Sequence, residues 1–507
     1  MRKFLMLVAI VGLATLVAVP AYALDFKFGA EYRVRFYSNL NGNQVNLGVS
    51  DLKDGINAGA FGYSGNAGGQ RGVQSRIRPR FDVSDDNGNM TATLRLEIGD
   101  IEWGSGGGAS GTANGGPTGT ISPSSNRTGN GSGGSMGVDG INVETKWAYV
   151  DFATPWGVPL RWRAGLQPWY ESKGLLVDDD VAGVRAYGKA SIVNYELGWY
   201  RASGGPCAST TSNACSTTNN FDNNLDFIEG KVGLAIAKWL NPSLYYIWGQ
   251  NGATSTAGVA DPTEKVSSNF FGAAINGDLG FMRYDVDFVW GSAEGGTYGN
   301  YTAGTTSRVD VSGWGIDGGV HFPIGPVLIH VVGSYATGDE QNGGDSEAMP
   351  WISPSWNGAG GLYEIIGSGG VFDQVDVTQD YPGGLWMIGA GVEYRPVKAL
   401  WMRLMYGYAG FTDARANCAF TNGKAPGACY GPVYQGKGFV APTVTGGVVT
   451  AGGQGGMAGE DTLGHEISFR ADYDLWTNFK VQGAAGVLLV PEGETVHEYV
   501  VQLLYSF

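Results

Sequence analysis

The sequence contains little of what catalytic and metal sites are usually built from. Of its 507 residues, four are histidine and four are cysteine, and only 16% are charged. No Cys-x-x-Cys pair is present, which argues against zinc or haem attachment, and no Ser-His-acid set stands out. These absences predict a protein that is not an enzyme and that holds no metal and no cofactor. The histidines are His321, His330, His465 and His497, and apolar neighbours suggest wall positions for His330 and His497.

Basic residues and long apolar runs are also scarce. Lys and Arg number 32 against 47 Asp and Glu, and the net charge of −15 argues against nucleic acid as a partner. After residue 23 no run of about 18 apolar residues occurs, so no transmembrane helix is expected. The one long apolar stretch, Phe4 to Val19, follows two basic residues and precedes Ala21-Tyr22-Ala23. That order predicts a secretory signal peptide over residues 1–23, with a retained anchor as the alternative.

Glycine, aromatic residues and strict alternation are abundant. The chain has 85 glycines, and 12% of its residues are aromatic. The last stretch, His497 to Phe507, places a large apolar residue at every second position, which indicates a strand with one apolar and one polar face. Asp25 to Leu40 alternates in the same way. These patterns predict an all-β fold, a transmembrane antiparallel β-barrel whose last strand pairs with its first, because an open sheet edge cannot lie in hydrocarbon.

The carboxyl-terminal pattern resembles the closing strand of bacterial outer-membrane β-barrels. In those proteins the terminal aromatic residue is the signal for the barrel-assembly machinery. The resemblance therefore implies that Phe507 contacts that machinery. It also implies that the chain lies in a bacterial outer membrane, among its lipid and lipopolysaccharide.

Short turns alternate with long Gly-rich connections along residues 24–507, which predicts a single barrel domain. Eight turns and nine connections join 18 strands, and 16 strands are also possible. The difference in length between the turns and the connections is typical of outer-membrane barrels, which have short periplasmic turns and long extracellular loops. The predicted turns are 85–89, 155–157, 191, 238–242, 277–280, 323–326, 396–399 and 475–478. The predicted long connections are 41–72, 104–142, 170–180, 203–223, 250–266, 295–307, 339–383 and 413–461, with a short last one at 491–494.

A barrel of about 16 to 18 strands encloses an aqueous channel, so its lumen-facing residues determine what passes. Arginines on the polar faces of five predicted strands fall at similar heights, which predicts a belt around mid-barrel and a preference for small anionic solutes. The alternative is that these charges pair and merely hydrate the wall. The belt is Arg33, Arg35, Arg76, Arg78, Arg80, Arg95, Arg161, Arg163 and Arg185. The opposite wall is mixed: Asp285, Asp287, Glu393, Arg403, Glu466, Arg470, Asp472 and Glu498.

Two stretches outside the predicted strands are acidic. Residues 339–383 contain eight Asp and Glu and no Lys or Arg, and Asp178-Asp179-Asp180 lies in another predicted loop. Solvated extracellular loops are one interpretation. Divalent-cation binding that ties the loops together, or to lipopolysaccharide, is the other.

One region resembles the alginate-export type of porin. Residues 146–152 read KWAYVDF, residues 159–169 read PLRWRAGLQPW, and residues 178–185 read DDDVAGVR. This order matches the family's strand–turn–strand core and the acidic stretch that follows it, although Leu166 replaces the usual second arginine. The resemblance implies an 18-stranded monomeric barrel that passes anionic solutes through an Arg-lined lumen. The loops do not match, so alginate itself is not implied.

Two other functions compete with a passive pore. An energised transporter would need a plug domain before the barrel and about 22 strands, and the first predicted strand begins too early for that. A structural sheath around a protein partner, such as a surface electron-transfer cytochrome complex, would need no motif in this chain, and long Gly-rich loops suit partner contact. The sequence does not separate a sheath from an open pore.

The four cysteines provide a direct test of compartment and pairing. Cys207 and Cys215 lie in one predicted loop, and Cys418 and Cys429 lie in another, so an oxidising compartment should give two local disulfides, with a metal or haem site as the alternative. We predict that peptide mapping without reduction recovers 207–215 and 418–429 as linked pairs. Free thiols, or links between the two loops, would contradict the pairing.

Overall fold

A computed structural model describes the backbone at residues 24–40, 70–104, 143–203, 225–251, 266–294, 297–299, 306–308, 311–338, 347, 349–353, 355–367, 384–412, 443–445, 448–451, 462–491 and 495–507. The predicted signal peptide, the four cysteines and the predicted loop 104–142 (Gly104 apart) lie outside these residues. Predictions about them therefore stay predictions.

Within the described residues the chain forms 22 β-strands, and 18 of them join in one closed antiparallel sheet. The barrel strands are β1 (Asp25–Leu40), β2 (Gln70–Ser84), β3 (Met90–Glu102), β4 (Val143–Ala153), β5 (Leu160–Glu171), β6 (Val177–Ala190), β7 (Val193–Ser203), β8 (Leu225–Leu234), β9 (Asn241–Asn251), β10 (Val266–Asp278), β11 (Arg283–Glu294), β14 (Val311–Ile324), β15 (Val327–Ala336), β16 (Leu385–Val397), β17 (Leu400–Phe411), β20 (Thr462–Trp476), β21 (Phe479–Leu489) and β22 (Val496–Ser506). The predicted all-β barrel with 18 strands is confirmed.

Two small hairpins lie outside the barrel sheet. β12 (Thr297–Gly299) pairs with β13 (Thr306–Arg308), and β18 (Thr443–Thr445) pairs with β19 (Val448–Ala451). The first hairpin overlaps the predicted connection 295–307, and the second lies inside the predicted connection 413–461. No helix within the described part of the chain is long and apolar enough to cross a membrane.

The barrel closes where the two ends of the chain meet, as predicted. β1 pairs with β22 from Glu31 opposite Ser506 to Leu40 opposite His497. Beyond that ladder, the backbone N–H of Ala30 donates to the carbonyl of Phe507 at 2.8 Å, and the N–H of Phe507 donates back at 3.0 Å. Neither edge of the sheet is left open, which satisfies the requirement that hydrocarbon imposes on backbone polar groups.

Alternation along each strand separates an apolar exterior from a polar interior. In β1, Phe26 and Phe28 are 60% and 52% exposed, and Tyr32 and Phe36 are exposed on the same face. Arg33 and Arg35, on the opposite face, are buried. A closed sheet has only two faces, so the exposed aromatic residues meet lipid and the arginines face the lumen.

The eight short turns occur where the sequence predicts them, but one predicted long connection is much shorter in the structure. The predicted connection 170–180 is only residues 172–176, because Glu171 ends β5 and Val177 begins β6. The acidic triplet at 178–180 is therefore part of a strand, paired in register with β5. Three consecutive aspartates fit this strand because side chains of the long connection between β15 and β16 donate to Asp178 and Asp179.

The closing contact can be weakened from the carboxyl terminus. Removing Phe507 deletes two backbone hydrogen bonds and ring contacts with Phe28 at 5.9 Å and Tyr505 at 5.2 Å. We expect a loss of about 1–3 kcal/mol of unfolding free energy in refolded protein. It should appear as a lower temperature for the heat-modifiable band in SDS gels. Removing Leu24, which precedes β1, is the matched control and should leave that temperature unchanged.

Candidate functional site

The predicted arginine belt lies on the lumen side of strands β1, β2, β3, β5 and β6. Cross-strand register places its members side by side, with Arg33 opposite Arg76, Arg80 opposite Arg95, and Arg163 opposite Arg185. Like charges in directly opposite positions repel one another unless counter-charges lie between them. The structure supplies such counter-charges from the same strand or from other strands of the wall.

The first group of the belt is built around two carboxylates of β3. Arg33 Nη2 lies 2.7 Å from Asp100 Oδ1, and Arg76 Nη1 lies 3.6 Å from Glu97 Oε1. Arg78 Nε donates to the other oxygen of Glu97. Two arginines therefore share Glu97, which holds both guanidinium groups in fixed positions on the wall.

The second group is built around Asp151 of β4. Arg161 Nε and Arg163 Nε donate to its two oxygens at 2.8 and 2.9 Å, and the Tyr187 hydroxyl also donates to it. Arg163 additionally lies with its guanidinium carbon 4.5 Å from the ring centre of Tyr149. One carboxylate thus balances two guanidinium groups, and the group keeps an excess of positive charge.

The remaining members of the belt differ in their partners. Arg80 pairs with Asp82 at 2.7 Å, Arg185 pairs with Glu196 at 3.3 Å, and Arg35 Nε donates to Gln502 Oε1 at 3.3 Å.

Arg95 is held differently from the rest of the belt. Its guanidinium lies 4.5 Å from the ring centre of Trp147, and within the described residues no carboxylate lies close enough to form an ion pair with it. Stacking uses the face of a guanidinium and leaves its five N–H donors for other partners.

The opposite wall carries the mixed charges that the sequence predicts, and two of its carboxylates share one lysine. Asp285 and Asp287 contact Lys173, and Glu393 lies 3.3 Å from His330. The other predicted members also pair within the lumen: Arg403 with Glu364 at 3.3 Å and Arg470 with Asp472 at 3.0 Å, while Glu498 is fully buried. The wall is acidic where Asp285, Asp287 and Asp317 converge on one lysine.

Two parts of the chain between strands fold into the barrel. We call residues 172–176 the short inward segment, and residues 349–353 with 355–367 the long inward segment. Their backbones are joined: Ile352 N–H donates to Leu176 C=O at 3.2 Å, and Ser355 N–H donates to Gly174 C=O at 2.9 Å. Aromatic and aliphatic side chains of both segments form a buried apolar core with the lumen face of the wall: Leu175, Leu176, Trp351, Ile352, Trp356, Tyr363, Ile365 and Ile366.

Close approach to the wall depends on two glycines. The ring of Tyr363 packs on Gly389 of β16 and Gly407 of β17, where any Cβ would overlap the ring. Its hydroxyl donates to the carbonyl of Tyr406 at 3.0 Å. Glycine in a strand interior often marks a close approach of this kind.

Two wall carboxylates anchor the long inward segment through its backbone. Asp317 accepts the N–H of Ala359 at 2.9 and 3.0 Å and the indole N–H of Trp356 at 3.1 Å. Glu466 accepts the N–H groups of residues 364, 365 and 366 at 2.8, 3.2 and 2.6 Å. Buried backbone donors need acceptors, and here the acceptors are side chains of β14 and β20.

Lys173 attaches the short inward segment to the acidic wall. Its ammonium contacts Asp285, lies 3.2 Å from Asp287 and lies 3.1 Å from Asp317. Burial by itself would lower the pKa of Lys173, but the three carboxylates outweigh it and raise the pKa above its ordinary value. The lysine therefore stays charged and is fixed at the wall.

Sequence reasoning missed Lys173, Asp317 and the inward fold of residues 349–353 and 355–367. The prediction of a solvated acidic loop is wrong for Glu364, which is buried and paired with Arg403, and for Asp178 and Asp179, which accept hydrogen bonds from the long inward segment. The available signal was composition, because this stretch combines two Trp, one Tyr and three Ile in a connection otherwise rich in Gly and Ser. Such apolar content is unusual for a water-exposed loop.

Comparison with known proteins identifies the fold. No protein-family model matches the chain, and no curated protein matches it. The outer-membrane protein opdK of Pseudomonas aeruginosa matches at a TM-score of 0.50 and 8% identity over 95% of this chain and 98% of that one. A BenF-like porin of Pseudomonas fluorescens Pf-5 (TM-score 0.49, 10% identity, 95% and 98%) and Pseudomonas aeruginosa OccK8 (TM-score 0.48, 11%, 95% and 98%) also match. The match to opdK, at 8% identity, is a likeness of fold alone, and the fold is the closed 18-stranded barrel described above.

Releasing the long inward segment should widen the lumen. Asp317→Ala removes three acceptor contacts and one partner of Lys173, so we expect a higher single-channel conductance, or frequent steps to a larger state, in planar bilayers. Asp82→Ala is the matched control, because it removes one lumen carboxylate that contacts neither inward segment. Equal conductance changes in the two variants would mean that charge alone, and not the segment, sets the conductance.

Proposed function

We propose that the chain is an outer-membrane porin through which small hydrophilic solutes, mainly anions, diffuse passively along an arginine-lined side of the lumen. The observation that carries this proposal is the sharing of carboxylates in the belt. Arg161 and Arg163 share Asp151, and Arg76 and Arg78 share Glu97, so the guanidinium groups outnumber the carboxylates that hold them.

Electrostatics across the lumen supports the same proposal. The arginines lie on β1 to β6, whereas Asp285, Asp287 and Asp317 lie on β11 and β14 with one lysine among them. A field directed across a narrow, low-dielectric-walled pore draws anions toward the basic side. The half-buried Arg95 is the best placed to contact such a solute, because within the described residues no carboxylate forms an ion pair with its N–H donors.

The inward segments favour a solute pore over a sheath around a protein. The long inward segment contacts β11, β14, β16, β17, β20 and β21 from inside, so it occupies space that a protein partner in the lumen would need. The alginate-export resemblance, with its monomeric Arg-lined barrel, belongs to the same proposal, as does recognition of Phe507 by the assembly machinery.

Reversal potentials test the proposal directly. Purified protein in a planar bilayer under a KCl gradient should give a reversal potential of the sign for chloride preference. A cation-selective channel would refute anion preference, and the absence of any conductance would refute the pore. Haem absorbance in the purified material would instead support the sheath.

A single arginine should carry a measurable share of the selectivity. Arg95→Gln should lower the chloride-to-potassium permeability ratio, by roughly 1.5- to 3-fold if one charge in the lumen focuses the field. Arg201→Gln is the matched control, because Arg201 pairs with Asp226 on the outer face, alongside the exposed Trp199 and Ile228. The control should leave the ratio unchanged, and equal effects of the two variants would remove Arg95 from the selectivity site.

A further inference from the structure

An apolar groove lies on the outer, lipid-facing side of the barrel, next to the strand pair that closes it. Its volume is about 910 Å³, and it extends over β2, β1, β22, β21 and β20, which are neighbours in the sheet. Aromatic side chains form its sides, with Phe36 and Tyr499 on one side and Phe469 and Tyr473 on the other. The floor between them consists of smaller side chains: Val73, Ala471, Val481, Gly483, Ala485 and Val501.

The floor of the groove is open at Gly483. A Cβ atom at this position would have one protein atom within 4 Å among the described residues, the backbone oxygen of Val500 at 3.9 Å. Gly389 and Gly407 on the lumen face differ, because the ring of Tyr363 packs directly on them. Glycine in a strand interior weakens the strand and often marks a site where other atoms approach closely. No described side chain approaches Gly483, so the space above it is available to a molecule outside the chain.

A cation without a carboxylate partner lies at the β2 edge of the groove. Arg71 is exposed there, opposite Ser38, and Ser38 is opposite Tyr499. Within the described residues no carboxylate forms an ion pair with Arg71, whereas Arg201, also on the outer face, donates to Asp226 at 2.8 and 2.9 Å. Arg71 lies at the end of β2 that follows the long connection from β1, which is the predicted extracellular side. A guanidinium binds phosphate oxygens bidentately, so this edge suits the phosphate of an outer-leaflet lipid.

We propose that this face binds one lipid A moiety of lipopolysaccharide, with an acyl chain in the groove over Gly483 and a phosphate on Arg71. The proposal rests on the outer-membrane location that belongs to the proposed function. The groove spans four strand spacings, about 19 Å, and the hydrocarbon of one leaflet is about 15 Å deep, so an extended acyl chain fits along it.

Charge favours lipid A over the other candidate occupants. The phosphates of lipid A are monoesters, which carry a charge of about −1.5 to −2 at pH 7, whereas a phospholipid headgroup is a diester with a single negative charge. A second copy of the chain would press its apolar outer wall onto Arg71 and remove an unpaired charge from water, which is costly. The cation and the groove are therefore best matched together by a lipid with a strongly anionic head.

Native mass spectrometry tests the site by counting bound lipids. The full chain, refolded in detergent, is titrated with lipid A and separately with phosphatidylglycerol. We expect one retained lipid A per barrel and weaker retention of phosphatidylglycerol. Arg71→Gln should lower the apparent affinity for lipid A about tenfold, because it removes charge-assisted hydrogen bonds to the phosphate. Gly483→Val should also lower it, because the new side chain fills the floor of the groove without overlapping the protein.

Two variants elsewhere on the outer face are matched controls. Arg201→Gln removes an arginine whose charge is already paired, and Gly230→Val adds the same side chain at an open glycine opposite the exposed Leu197. Both should retain lipid A as the wild type does. Equal affinities for the two lipids, or equal losses in all four variants, would overturn the proposal. A wild-type dimer that Gly483→Val dissociates would assign the groove to a second copy of the chain and would also overturn it.

Conductance in phosphatidylcholine bilayers, which contain no lipid A, separates this inference from the pore function. A chain that conducts but does not retain lipid A would overturn the lipid site and leave the proposed pore standing. Retention of lipid A without conductance would support the site and refute the pore.

Discussion

Hydrocarbon offers no partner to a backbone N–H or C=O group, and the rest of this structure depends on that constraint. Each of the 18 barrel strands has two neighbours, and the last pair is made by the two ends of the chain, β1 and β22. Once the sheet is closed, every second side chain must face lipid and every other one must face the lumen. The distribution of charge in the interior is therefore a direct consequence of strand register.

A barrel of this width leaves more interior space than wall side chains can fill. The chain uses part of that space itself, by folding apolar residues of two connections against the wall. Such a fold exposes backbone donors to a dry environment, where an unpaired group costs about 1–3 kcal/mol. Asp317 and Glu466 meet that cost, since each accepts backbone N–H groups of the long inward segment. Glu466, which the sequence assigns to the pore wall, and Asp317, which it does not single out, therefore both serve here as anchors.

The difference between features set by local alternation and features set by contacts between distant residues explains what could be predicted from the sequence. Alternation is local, so the strands, the eight short turns and the pairing of the ends were predictable, and the structure confirms them. The long inward segment was not predictable, because Ala359 bonds to a residue 42 positions away and Ile366 bonds to a residue 100 positions away. Asp178 and Asp179 were assigned to a loop for a related reason, since their side-chain donors lie in the long inward segment, far along the chain. Charge positions were predictable from face alternation, whereas charge partners depend on neighbouring strands.

The arrangement of partners decides how a charged wall can act on a solute. A guanidinium held by its own carboxylate is fixed in place but has few donors to offer, and an unpaired one near a low-dielectric wall is costly to bury. Sharing is an intermediate solution: Asp151 orients two arginines, so the group stays ordered while positive charge remains in excess. Arg95 achieves order by stacking on Trp147, which satisfies the face of the cation and not its edge. In the proposed pore, a passing anion would compete for those edge donors without first breaking an ion pair, and rapid exchange of that kind is what conduction requires of a pore contact.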